Sequence, residues 1–177
     1  MNQAEMSKKI WEMSNECGHA FHSAEYGDRV GKLLFMTAAH ESGGFLFRRQ
    51  TMFSKNSLNG AFSLWQFEIG SVSDSIRWIG SRQHLHDKAI GFVGEKDFAL
   101  LQRKRLMELL LYVQKPEGDR LACLLARLHY FRMRESVPED LEGLSRYAKK
   151  YYNTHLGKAT SAHYLAAYRR YAPHVQK

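Results

Sequence analysis

Glu41 is the residue whose neighbours best equip it for acid chemistry. It closes a largely apolar run that begins at Val30, and Ser42 and the pair Gly43-Gly44 follow it. Such a run predicts a buried helix that stops at the glycines, which tolerate left-handed backbone and reverse the chain. A carboxyl in that last turn meets the negative end of the helix dipole among apolar groups, and both disfavour the ionised form. A second segment, Gly60-Ala61-Phe62-Ser63-Leu64-Trp65-Gln66, sets small residues beside an aromatic ring and an amide. Trp65 offers a flat apolar face to a sugar, and Gln66 offers an amide to a hydroxyl or N-acetyl group. A turn that buries Leu64 and Trp65 in the core fits the same residues. Glycosidic cleavage needs an acid that stays protonated where a free carboxyl would ionise, and a buried helix end supplies one.

Other groups carry less. His84-x-His86 has no cysteine or carboxylate partner at ligand spacing, so no metal or other cofactor is implied. Cys17 and Cys123 form no disulfide framework and read as small buried thiols. Arg103-Lys104-Arg105 reads as a solvated helix face, with no helix-turn-helix or RNA-binding signature to make it a specific nucleic-acid site. Glu68 and Asp74 are the acids nearest the second segment and the candidates to activate a water in a hydrolysis, and a solvated surface charge is the plainer reading of each.

The elements that must position these groups are helical. Met6, Ile10, Met13 and Cys17 recur at three- and four-residue steps and predict a helix over 3–18 ending at Gly18. Asp28 has the side chain of an N-cap for a second, central helix over 29–40. From Phe45 to Asn59 the pattern is irregular, with Asn59-Gly60 a strong turn signal; any small sheet falls between Phe45 and Phe67. A helix begins near Ser71 or Ser73 with Val72, Ile76 and Ile79 on one face. A long helix over 98–114 follows Asp97, another over 120–134 follows Asp119, and a third over 139–152 follows Pro138. Thr160 or Ser161 caps the last, which carries Tyr164, Leu165, Tyr168 and Tyr171. The expectation is a mainly α single domain over 1–177, with six or seven helices and one irregular or β insertion after the second.

Glu41-Ser42 after an apolar helix, followed by Gly60-Ala61-x-Ser63-Leu64-Trp65-Gln66, resembles the paired motifs of the lysozyme-like lytic transglycosylases and goose-type lysozymes. The family pattern is Glu-Ser, then Gly-Ala-x-Gly-Leu-Met-Gln, so Ser63 stands in for a glycine and Trp65 for a methionine. The resemblance implies a lysozyme-like fold with Glu41 as the single catalytic acid/base. It implies Ser42, Ser63, Trp65 and Gln66 as contacts to peptidoglycan glycan strands. The third motif, Ala-Tyr-Asn-x-Gly, is not present as such. Tyr130, in Ala126-Arg127-Leu128-His129-Tyr130, is the candidate for the tyrosine that bonds the acid, and Tyr152-Asn153 is its rival. The block from Tyr147 to Lys158 is similar to the ends of bacteriophage virion-associated muralytic proteins. The implied reaction breaks the bond between N-acetylmuramic acid and N-acetylglucosamine and leaves 1,6-anhydro ends. Hydrolysis by the same fold, or an idle structural virion protein, remains open.

Composition agrees with wall chemistry without requiring it. Twenty-six basic residues against 18 acidic ones give a net charge of +8, which favours polyanionic partners such as an acidic wall polymer. No secretory signal opens the chain, and no stretch reaches the roughly 18 apolar residues of a membrane span. The expectation is synthesis in the cytoplasm and action on the periplasmic wall, delivered as a virion component alongside other virion or secretion-machine proteins.

Overall fold

The structure, a computed structural model, describes residues 1–48, 60–103, 105–153 and 158–172. Among these the chain is mainly α, with nine helices and no strand. They are α1 (Gln3–Phe21), α2 (Ala24–Glu41), α3 (Ile69–Gly80), α4 (His86–Val93), α5 (Glu95–Gln102), α6 (Leu106–Tyr112), α7 (Asp119–Phe131), α8 (Leu141–Tyr151) and α9 (Ser161–Tyr171). The sheet expected between Phe45 and Phe67 is reduced, among the described residues, to one antiparallel bridge between Phe62 and Phe67. The turn signal at Asn59, with Met52, Phe53 and Lys55, lies outside the described residues.

The first two helices set the frame. Asn2 caps α1 in a reciprocal box: its side chain takes the Glu5 N–H at 2.9 Å, and the Glu5 carboxylate takes the Asn2 N–H at 2.8 Å. Gly18 does not stop this helix, which runs on to Phe21. Its role is close approach. A Cβ on Gly18 would lie 2.2 Å from the Gly27 carbonyl oxygen, and one on Gly31 would lie 2.2 Å from Asn15 Oδ1. The hairpin of α1 and α2 therefore packs backbone against backbone, and this contact holds α2 helical from Ala24, ahead of the expected start at Arg29. Asp28, inside the helix, pairs with His19 at 2.9 Å instead of capping.

Helix α2 is the axis of the core. Val30, Leu33, Leu34, Phe35, Met36, Ala38 and Ala39 are all buried, and the helix packs against α1, α7, α8 and α9. The long helix expected over 98–114 is two helices, α5 and α6. The three cations at 103–105 offer no apolar side chain to bury, so packing does not repay carrying a helix through them. Lys104 itself lies outside the described residues. Asp119 opens α7 and is 1% exposed; it is ion-paired with Arg48, Nη2 to Oδ2 at 3.0 Å, and with Lys9 at 3.1 Å. Asp140 caps α8 through the Gly143 N–H at 2.7 Å, and Thr160 caps α9 in a box with His163. Cys17 and Cys123 are both free and buried.

The helix hairpin yields a paired stability prediction. Gly31→Ala drives a methyl into Asn15 and should lower stability by about 1–3 kcal/mol. Gly91→Ala, in α4 where nothing lies within 4 Å of the added carbon, should raise it by about 0.5–1 kcal/mol. Urea unfolding midpoints at unchanged slope measure both; equal effects of the two changes would refute the close-packed hairpin.

Candidate active site

Glu41 is the last residue of α2, and the turn after it is tied from several sides. Ser42 caps the helix: its hydroxyl donates to the Ala38 carbonyl at 2.6 Å and accepts the Phe45 N–H at 2.6 Å. Gly43 and Gly44 take φ of 61° and 77°, and the Gly44 N–H returns to the Ala39 carbonyl at 2.8 Å. A side chain at Gly44 would strike the ring of Tyr171, so this turn lies directly on α9. Ser42 is fully buried, and both its bonds are spent on the turn.

The Glu41 carboxyl is held by the two C-terminal helices. The Tyr164 hydroxyl, on α9, donates to Oε1. The Asn153 side chain, just past α8, hydrogen-bonds the same carboxyl and the Tyr164 hydroxyl. Lys149 reaches Asn153, with Nζ 3.0 Å from its carbonyl oxygen and 3.2 Å from Oδ1. Burial raises the Glu41 pKa above the usual carboxylate value, while the bonds from Tyr164 and Asn153 and the Lys149 charge pull it back only in part. His40 packs against Tyr164 with ring centres 4.0 Å apart and planes tilted by 41°, and burial, then His163 and Lys149, push its pKa down to about 4. At neutral pH it is therefore uncharged and adds no cation that would ionise Glu41.

The tyrosine beside the acid is not the one expected. The Tyr130 hydroxyl lies 2.8 Å from Thr37 Oγ1, one turn earlier on α2. Thr37 donates its own proton to the Leu33 carbonyl, so Tyr130 is the donor and its hydroxyl is committed there. Tyr152 donates to the Trp65 carbonyl at 2.6 Å. Of the rival pair Tyr152-Asn153, the asparagine reaches Glu41 and the tyrosine does not. Tyr164 carried no local signal beyond its place on the apolar face of the last helix; only packing of α9 on α2 brings it to the acid.

The second segment is also placed differently from expectation. Trp65 is 0% exposed, and its indole N–H donates to the Leu34 carbonyl at 2.9 Å. It anchors the segment to α2 and has no free face for a sugar ring, which corrects its assignment as a substrate contact. Ser63 is equally buried, with its hydroxyl accepting the Trp65 N–H at 3.1 Å. Its φ is 68°, a left-handed value that disfavours side chains and falls where the resembling motif has glycine. Gln66, at φ 49°, donates from Nε2 to the Ser63 carbonyl at 2.7 Å and to the Phe47 carbonyl at 3.3 Å. It thereby links the turn after Glu41 to the second segment, and it is half-exposed.

Neither remaining acid competes for the role. Asp74 is ion-paired with Arg132 at 2.7 Å and Arg77 at 3.4 Å, and Glu68 is exposed just before α3. His86 is buried with Nε2 3.0 Å from the Ile79 carbonyl, a packing role rather than a metal-binding one. Among the described residues no group of three His, Cys, Asp or Glu side chains could hold a metal ion. A cavity of about 320 Å³ lies beside His40, between Gly43-Gly44 and Arg170 on α9; Glu41 is not in its lining. The segment 49–59 that follows the Glu41 turn lies outside the described residues.

The chain matches no protein-family model, no curated protein and no solved structure. The reading of the site therefore rests on the motifs and on the geometry around Glu41.

A partly buried acid whose folded pKa is raised leaves a signature in stability. Between the unfolded value of 4.5 and the higher folded value the native state binds more protons than the unfolded one, so stability falls as pH rises. Glu41→Gln removes that loss. The variant should melt above the wild type at pH 8, with the gap closing toward pH 4; a gap that widens on acidification would show that Glu41 is stabilised as the carboxylate.

Proposed function

We propose that this protein is a lysozyme-like peptidoglycan lytic transglycosylase that uses Glu41 as its single acid/base. The observation that carries the proposal is a carboxyl at the end of a buried helix, its pKa raised by burial, gripped by Tyr164 and Asn153. Two further features support it. Ser63 adopts the left-handed backbone that the family motif provides with glycine, and Gln66 joins the two motif segments. The 49–59 stretch contains no acid, and Asp74 is committed to arginines, so a one-carboxylate reaction fits better than the two-carboxylate scheme of most glycosidases.

In this mechanism protonated Glu41 gives its proton to the glycosidic oxygen between N-acetylmuramic acid and N-acetylglucosamine. The bond from that oxygen to muramic acid C1 breaks, releasing N-acetylglucosamine as an alcohol. The Glu41 carboxylate then takes the proton of the muramic acid 6-hydroxyl, whose oxygen closes on C1 to give the 1,6-anhydro ring. Glu41 ends protonated, ready for the next strand. Tyr164 and Asn153 hold the carboxyl in one orientation through both proton transfers. The nearby Lys149 charge stabilises it in its ionised interval. A net charge of +8 draws the protein to an anionic wall, and we assign its delivery to a phage particle acting from outside the cell. No helix among the described residues is long and apolar enough to cross a membrane.

Purified sacculi test the assignment. Wild-type protein should clear them, and Glu41→Gln should be slower by about 100-fold or more, the usual scale for losing a general acid. Mass spectrometry of the soluble muropeptides should find 1,6-anhydro ends. Reducing ends would make the enzyme a hydrolase of the same fold, no clearing by wild type would favour an idle structural protein, and equal clearing by both would mean the wrong acid.

The pH profile tests the clamp. Tyr164 donates to the carboxylate and so lowers the Glu41 pKa; Tyr164→Phe removes that bond and raises it. Because activity requires the protonated acid, the basic limb of the rate profile should move to higher pH in Tyr164→Phe. A limb that stays put or moves to lower pH would remove Tyr164 from this role.

A further inference from the structure

A second cavity, of about 380 Å³, opens near the start of α2, at the other end of that helix from Glu41. Arg127 of α7 lines it while being only 2% exposed. Among the described residues its guanidinium makes one hydrogen bond, from Nη2 to His22 Nε2; Nε is buried with no partner, and no carboxylate is ion-paired with it. Burial pushes its pKa down to about 10, which still leaves it a cation at neutral pH. His22 cannot supply the missing negative charge. It accepts from Arg127, and burial, then Arg127 and Lys88, push its pKa down to about 4, so it is a neutral imidazole. A buried cation without a counter-ion is costly, and proteins normally pair one.

The rest of the lining suits an anion with an apolar body. Ser23, the N-cap of the eighteen-residue α2, lines the cavity and makes no side-chain cap bond, so the positive end of that helix faces the same space. The walls are aromatic: Arg127 Cζ sits 3.5 Å over the Phe131 ring, and Tyr26 and Tyr147 complete them. The Tyr26 hydroxyl accepts the Val137 N–H at 3.1 Å and keeps its own proton to donate. Glu135 stands at the rim, exposed and ion-paired with Lys150, so its charge is already answered.

We propose that this cavity binds the carboxylate of a small organic acid, with Arg127 as its counter-charge and the aromatic walls holding its apolar body. One buried cation balances one negative charge, which favours a carboxylate over a phosphate carrying close to two charges at neutral pH. A volume of about 380 Å³ exceeds what a bare ion needs and lies within the range of small-molecule sites. This inference is independent of the wall-cleaving reading, and its test needs no enzymatic activity.

The test titrates the whole protein with sodium benzoate, sodium acetate and sodium phosphate at fixed ionic strength, by calorimetry and by amide NMR. Benzoate should bind saturably and more tightly than acetate, with phosphate weaker than both and shifts centred on Ser23 and Tyr26. Arg127→Met replaces an unpaired buried charge by an apolar chain of similar length, so it should fold, and it should bind benzoate at least tenfold more weakly. Absent saturation by benzoate, undiminished binding to Arg127→Met, or a preference for phosphate would each overturn the proposal. If the variant does not fold, the wild-type shift map decides: perturbations centred elsewhere overturn it.

Discussion

Everything in this molecule depends on burying α2 on nearly every side while ending it at a carboxyl. An α-helix can be enclosed so fully only if its neighbours come close and its ends are satisfied. Here α1 achieves the first with glycines at the contact, and Ser42 with the Gly43-Gly44 turn achieves the second. The residue left at the boundary is Glu41. Water is scarce there, so the carboxyl resists ionisation, and its remaining lone pairs must be answered by protein donors. Tyr164 and Asn153 are those donors. The raised pKa of the site is therefore a by-product of how the core is closed.

The surrounding charges show which effect prevails. Two hydrogen bonds and a lysine all favour the carboxylate, yet the pKa remains raised because burial outweighs them. The local backbone also carries strain. Phe45, Ser63 and Gln66 all take left-handed φ without being glycine, at about 1–2 kcal/mol each. Phe45 lies in the turn that follows the acid, and Ser63 and Gln66 lie in the second segment, which Gln66 ties to that turn through the Phe47 carbonyl. Strained residues persist only where their surroundings fix them, and here the fixing groups are the Ser42 hydroxyl, the Trp65 indole and the Gln66 amide. The polar residues of both motif segments thus serve the backbone first.

Much of the helical scaffold is legible in the sequence, because caps and apolar periodicity are local. Thr160, the Gly43-Gly44 stop and the apolar faces of α1, α2 and α7 lie where their side-chain types indicate. Asp28 and Gly18 mislead for one reason: a cap residue and a stop residue look the same when their actual partners are another helix. The break between α5 and α6 is invisible to periodicity, since it depends on what the core can accept. Of the site, Glu41 and the turn that holds it are readable. Trp65 is not, because an exposed and a buried indole have the same neighbours in sequence. Tyr164 is not either; its pairing with Glu41 spans 123 residues, and six other tyrosines share the last third of the chain with it.

That long span has a consequence for how the protein comes into being. At ordinary rates of protein synthesis, roughly ten seconds separate the appearance of Glu41 from that of Tyr164. Until α9 docks, the carboxyl at the end of α2 lacks Tyr164 and the cover of that helix, so water reaches it and it ionises more readily. A ribosome-bound or prematurely ended chain thus displays the carboxyl without its raised pKa. The chemistry we assign to Glu41 would switch on only once the C-terminal helix has closed over it.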